Sequence, residues 1–393
     1  MEPIEFIAPW YYSTYYYIFF LFCCWFTSIY YIGSNGQKLL YNKENDPSQV
    51  MAVIVTVIIS LMIGLRQLAR DFGDTRGYAA YYNNLALKFD PVNLSNEWFW
   101  KDLQIFCKTI GMNVHEFFVL VAFVYFGGML ICSFILTRKN LWLAMLFFFT
   151  AFQTYTFSNN GIRNGMACSL VLIALAMIGE KKKLTIPIVL LLFIAYSSHH
   201  SSMLPAAAAV ASLYFIKDTK IALRFWLASI AISLVAGHSV EVFFAALGFD
   251  DRMSSYSASQ YDEDVTSTFS SMGFRWDFLL YSVVPVVMIW YVTRYRMFND
   301  KMYNIVANTY LLCNAFWIMV IRAAFSNRFA YLSWFLYPVI IFYPLFRMNI
   351  WKDQDRKTAL ILFFYSGFTF YMFFIYYFGT TGFRGFDQYW WRE

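Results

Sequence analysis

The chain has 393 residues, of which 60% are hydrophobic and 22% aromatic while 14% are charged; soluble domains carry about 45–50% apolar and about 25% charged residues. That balance excludes a soluble globular domain, and the long apolar blocks match what is needed to cross about 30 Å of hydrocarbon. The net charge of +6 carries little by itself, because in a membrane protein the placement of Lys and Arg matters more than their sum.

Apolar blocks predict about twelve membrane helices, at 10–32, 49–65, 115–137, 141–157, 162–179, 184–199, 201–216, 221–247, 276–293, 302–321, 328–346 and 358–378. The N-terminal "MEPIEFIAP" has no cation, so it lacks the n-region of a signal peptide and the first block reads as an uncleaved span. After the second block, residues 66–114 form the first large outer segment. It contains "RQLARDFGDTRGYAAYY" and "NEWFWKDLQIFCKTI". In the latter, Phe99, Leu103, Phe106 and Ile110 recur at helical spacing and Trp98 and Trp100 suit the headgroup level, which predicts an amphipathic helix lying on the membrane. Asp74 in "FGDT" reads either as a turn or N-cap residue or as a functional carboxylate.

Further along, the block at 201–216 is short for a span and that at 221–247 is long enough to be tilted or broken. Between them and the later spans, residues 248–275 form a Ser-rich, acidic outer loop with Tyr256 and Tyr261. It reads either as a cover over a site or as an indifferent linker. The six cysteines show no CxxC and no Cys/His ligand spacing, so neither a structural disulfide nor a metal or other cofactor is expected.

Alternate connections carry the cations Lys38 and Lys43, Arg138 and Lys139, Lys181 to Lys183, Lys217 to Arg224, Arg294 to Lys301, and Arg347 to Lys357. The positive-inside rule puts these in the cytoplasm and both termini outside. Of the 17 cations so placed inside, 11 are lysine, whereas 10 of the 13 outside are arginine. Orientation needs only charge, but a planar guanidinium suits bidentate grip on phosphate or carboxylate. Arg252, Arg275, Arg384 and Arg392 read as snorkelling to lipid phosphate, whereas Arg66, Arg163 and Arg328 each stand directly at the end of an apolar run. At about 1.5 Å per residue the helix from Arg163 to Glu180 rises about 26 Å. With Lys181 to Lys183 inside, Arg163 is therefore outside, and the next span returns "SSHHSS" to the same face. One of the adjacent His199 and His200 is expected to close the tight turn there.

"IRNGMA" followed about 35 residues later by "HHSSMLP" resembles the EpsG-type branch of the Wzy polysaccharide polymerases. Arg163 and Ala167 take the arginine and alanine of the first motif, and His200, with Ser201, Ser202 and Leu204 in register, takes the histidine of the second. "RQLARDFGDTRGY" is similar to the family's Arg, Gly-Asp and Tyr run through Arg66, Gly73, Asp74 and Tyr78; Glu97 opens the following helix, and "NRFAY" carries Arg328 and Tyr331. The sequence departs from the pattern at Asn164, where the family has glutamine, and "GDT" lacks a threonine before the aspartate.

The resemblance implies an all-α polytopic membrane protein, one integral domain over 1–393, with GT-C-like glycosyltransferase architecture. It implies metal-independent polymerisation of undecaprenyl-diphosphate-linked oligosaccharide repeats on the periplasmic side of a bacterial inner membrane. The partners implied are those lipid-linked glycans, membrane lipids and a chain-length regulator; nucleic acid is not among them. A departing diphosphate calls for preorganised guanidinium groups, expected from Arg66, Arg163, Arg328 and Arg322. An acceptor hydroxyl calls for a base, expected to be His200, with Asp74 or Glu97 as the alternative. Tyr78, Tyr331, His199, Arg70 and Arg76 are expected to contact substrate. Two rival readings share these features in part: an O-antigen ligase uses the same donor, and a lipid-linked oligosaccharide flippase would have a similar span count but repeat symmetry between halves, which the sequence does not display.

Overall fold

The computed structural model describes residues 1–33, 48–89, 97–137, 139–246, 274–322 and 326–374. The loop expected at 248–275, with Tyr256 and Tyr261, lies outside the described residues apart from its last two, as do Arg252, Arg384 and Arg392. Among the described residues the fold is all helix, with no strand. The helices are α1 Tyr11–Gly33, α2 Ser48–Gly64, α3 Thr75–Asn84, α4 Trp98–Thr109, α5 Val114–Thr137, α6 Leu141–Phe149, α7 Thr154–Asn159 and α8 Ile162–Lys181. They continue as α9 Ile186–Ser198, α10 Met203–Tyr214, α11 Thr219–Ala246, α12 Trp276–Trp290, α13 Lys301–Met319, α14 Ser326–Trp334, α15 Tyr337–Arg347 and α16 Gln354–Phe374.

Among the described residues, seven helical stretches are long and apolar enough to cross a membrane: Tyr11–Gly33, Val114–Thr137, Ile162–Lys181, Thr219–Gly237, Trp276–Tyr295, Arg328–Arg347 and Gln354–Phe374. Several other apolar segments are helical but not single straight rods. The segment 141–157 breaks into α6 and the six-residue α7, where Thr150 and Thr154 turn their hydroxyls onto the Leu146 and Phe148 carbonyls at 2.6 and 2.7 Å. Such local side-chain bonding competes with helix continuation. The segment at 221–247 kinks at Ala236, whose φ of −128° and ψ of 19° interrupt α11.

Burial sorts the helices into layers. The α8 stretch is 78% buried and the α14–α15 stretch fully so, whereas α1, α11 and α16 bury only about a third of theirs. The outer helices keep large apolar side chains exposed, among them Phe26 at 69%, Leu227 at 61% and Phe364 at 69%. An apolar exterior around a packed interior is what a hydrocarbon solvent allows. Inside, some polar groups join one helix to another. Asn314 of α13 accepts from the Trp226 indole of α11 at 2.7 Å and donates to Ser282 of α12 at 3.1 Å and Ser333 of α14 at 2.9 Å. Interhelical bonds of this kind lock register where no hydrophobic force acts between helices.

Candidate active site

The site is assembled where α8 begins and α9 ends. These two helices pack on each other, joined by the short turn that holds Lys182 and Lys183, so their far ends meet. Phe157 of α7 prepares the entry to α8. Its ring stacks on Tyr331 with centroids 3.4 Å apart and planes 6° apart. A side chain on Gly165 would come within 2.6 Å of the Phe157 carbonyl oxygen, so the close approach of α7 to α8 requires glycine there.

Glu97, at the N-cap of α4, reaches both helix ends. One carboxylate oxygen accepts a hydrogen bond from the Arg163 guanidinium. The other lies 2.5 Å from His199 Nδ1 and accepts from the His200 backbone N–H at 3.4 Å. The three side chains are 17–21% exposed. Burial by itself raises the pKa of the Glu97 carboxyl. The hydrogen bond to His199, the charge of Arg163 and the His200 N–H outweigh that, holding it down at about 2. Glu97 is thus an anion that orients a guanidinium and an imidazole together.

Of these groups Glu97 and Arg163 face a cavity of about 810 Å³ whose lining also includes Asp74, Tyr78, Trp100 and Arg328, whereas His199 is not among the described residues lining it. The Arg163 guanidinium sits 5.8 Å from the centre of the Tyr78 ring. Opposite, Arg328 approaches Asp74 at 4.0 Å, with both side chains at least a third exposed, a pair that contributes little to stability. The segment after α2 is tied to the connection between α7 and α8 through Gly73 and Asn160. Gly73 has φ 58° and ψ −121°, and an added Cβ would lie 2.5 Å from Asn160 Oδ1. That same oxygen accepts the Asp74 backbone N–H at 2.9 Å.

The remaining expected residues fall elsewhere. Arg66 is 1% exposed and donates to the Ile63 carbonyl at 2.7 Å, to Thr75 Oγ1 at 2.9 and 3.2 Å and to the Asn159 carbonyl at 3.3 Å. It also lies 4.7 Å from the Phe118 ring centre. Burial lowers its pKa to about 10, so it stays protonated at neutral pH and straps α2, α3 and α7 together behind the cavity. Tyr331 is 2% exposed and its hydroxyl shares a 2.8 Å hydrogen bond with Tyr125; Arg328 precedes it by three residues on α14. His200 stacks on Tyr196 at 4.8 Å, and its Nε2 is buried with no hydrogen-bond partner. Arg76 bonds the Leu68 carbonyl at 2.9 Å, Arg70 is exposed in the turn Arg70–Phe72, and Arg322 packs 5.9 Å from the Phe274 ring centre. None of these six is among the described residues lining the cavity.

Tyr81 and Lys101 line the cavity without having been singled out from the sequence. Both had a signal in helical spacing: Tyr81 lies three residues after Tyr78, and Lys101 four after Glu97. Asn160 had none, because its partner is a backbone N–H 86 residues away. Among the described residues, no three His, Cys, Asp or Glu side chains group where they could hold a metal ion.

No curated protein and no solved structure matches the chain. A model of the EpsG family matches residues 49–389, which takes in every residue that lines the cavity, and the chain therefore belongs to the EpsG family, multi-pass membrane proteins of the polysaccharide-polymerase kind.

Proposed function

We propose that this protein joins undecaprenyl-diphosphate-linked oligosaccharide repeats on the outer face of a bacterial cytoplasmic membrane, as a Wzy-type polymerase with a GT-C-like, many-span architecture. The observation that carries the reading is the Glu97 carboxylate held between Arg163 and His199 on the wall of a cavity that Arg328 also lines. A lipid-diphosphate donor needs positive charge where its leaving group departs, and Arg163 and Arg328 supply it. Placement on the outer face follows from the lysine-rich connections at the other end of α8.

In this mechanism a hydroxyl oxygen at the nonreducing end of one lipid-linked glycan attacks the anomeric carbon of another. The bond from that carbon to the diphosphate oxygen breaks and its electron pair leaves with undecaprenyl diphosphate. The hydroxyl proton goes to the histidine pair. Of the two, His199 is the ring that Glu97 holds, through Nδ1, the arrangement by which a carboxylate orients a general base. His200, which the motif register favours, contributes its backbone N–H to Glu97. Tyr78 and Tyr81 give the cavity aromatic faces for sugar rings.

The test is reconstitution of the purified protein with a defined lipid-linked repeat. The expected result is a ladder of lengthening glycans with one undecaprenyl diphosphate released for each linkage formed. Recovery of single repeats alone contradicts the proposal, and transfer only to a lipid A core acceptor identifies a ligase instead.

A further inference from the structure

A second cavity, of about 640 Å³, adjoins the first and shares Tyr81 and Lys101 with it; Asn84 and Lys88 complete its polar lining. Both volumes lie in the range of about 300–1,000 Å³ usual for ligand sites. The chemistry of the two differs. The first mixes two arginines with Asp74 and Glu97. No aspartate or glutamate is among the described residues lining the second, and its cations are lysines.

The distribution of lysine across the chain sharpens this. Of the outward-placed cations, only Lys88, Lys101 and Lys108 are lysine, and all three gather here. Lys108 donates to the Asn83 and Leu85 carbonyls at 2.7 and 2.9 Å, beside the cavity floor at the end of α3. Tyr81, 49% exposed, stands at the junction with a ring face open to a sugar. A compact ammonium on a flexible stem meets an anionic group in varied positions, without the fixed bidentate geometry that a guanidinium fork imposes.

We infer that this second cavity is the acceptor-glycan subsite and that it selects acidic repeats, those bearing a uronic acid or another carboxylate substituent. The inference rests on the polymerase reading for the name of the subsite, while its charge selectivity stands on the cavity itself. Continuity with the Arg163 cavity places an occupant's end at the reacting centre, which a lipid headgroup held at the rim would not achieve.

The experiment is a binding titration of the purified full chain in phosphatidylcholine nanodiscs, so that turnover is not required. The probes are an oligoglucuronate and the same oligosaccharide with its carboxyls reduced to alcohols. The acidic probe is expected to bind at least about tenfold more tightly, with the preference shrinking as salt rises. Lys88→Glu, at an exposed position, is expected to remove most of that preference, and Lys88→Arg to keep it. Equal binding of the two probes, no binding of either, or an unchanged preference in Lys88→Glu overturns the inference. Loss of the preference in phosphatidylglycerol nanodiscs, or equal competition by inorganic phosphate, also overturns it, because the cavity would then be a lipid or generic anion site. Charge-selective binding without glycan transfer would instead count against the polymerase reading and leave the subsite standing.

Discussion

Glu97 gathers three parts of the chain onto one carboxylate, and its ionisation is the most specific electrostatic statement the site makes. A carboxyl whose pKa is held at about 2 in the fold adds stability that is complete above the ordinary carboxylate range and is lost as the pH falls from there through about 2. Glu97→Gln should therefore lower stability by about 2 kcal/mol at neutral pH. In thermal denaturation against pH, the gap from the unaltered protein should stay constant from about pH 8 to pH 5 and close below about pH 4. His199 and His200 show what a motif cannot resolve. His199 has extended backbone, with φ −157° and ψ 114°, and neighbouring side chains on extended backbone point to opposite sides. Register assigned the histidine motif to one of two adjacent residues, and only the fold shows which ring meets Glu97. His199→Ala should reduce glycan transfer at least about 100-fold, while His200→Ala should cost less than about tenfold; single-turnover transfer rates at matched protein levels distinguish them.

At the scale of elements, each apolar segment was legible in the sequence as helix, because period and length are local properties. The length of 221–247 also marked it as tilted or broken, and it kinks at Ala236, but the other interruptions were not legible. The break between α6 and α7 depends on Thr150 and Thr154 bonding back to carbonyls, and threonines do this in many helices without breaking them. Helix α4 was legible as amphipathic, with its apolar stripe set on Phe99, Leu103, Phe106 and Ile110. In the fold Phe106 and Ile110 are more than half exposed, while Trp100, at 4%, and Cys107 are buried. Trp100 packs 5.4 Å from Phe117 of α5, and an indole with that much area to bury decides which of two apolar faces turns inward. The entry to α8 gives a direct test. Gly165→Ala places a methyl 2.6 Å from the Phe157 carbonyl and should cost about 1–3 kcal/mol. Because it pushes α7 from α8 two residues after Arg163, transfer should fall along with the thermal midpoint; an unchanged midpoint would mean that the approach of these helices is not tight.

Across the whole molecule, segments near positions 74, 97, 163 and 328 meet at one cavity, and His199 joins them through Glu97. The sequence indicated that they share a face, because charge asymmetry and helix length are enough for that. It could not give their lateral distances, and so it could not separate Arg66, which braces the site from behind, from Arg163 and Arg328, which line it. Orientation is open to impermeant thiol labelling of intact cells or right-side-out vesicles. A cysteine introduced by Tyr81→Cys should react from outside and one introduced by Lys182→Cys only after permeabilisation; the reverse pattern would place the cavity in the cytoplasm.

The central claim is that the Arg163 guanidinium, oriented by Glu97, meets the departing diphosphate. Its most direct test is the rate of glycan transfer by Arg163→Lys in the reconstituted system, since lysine keeps the charge and the topology but loses the planar fork. The account predicts a fall of at least about 100-fold with unchanged abundance and folding, and transfer at the unaltered rate would contradict it.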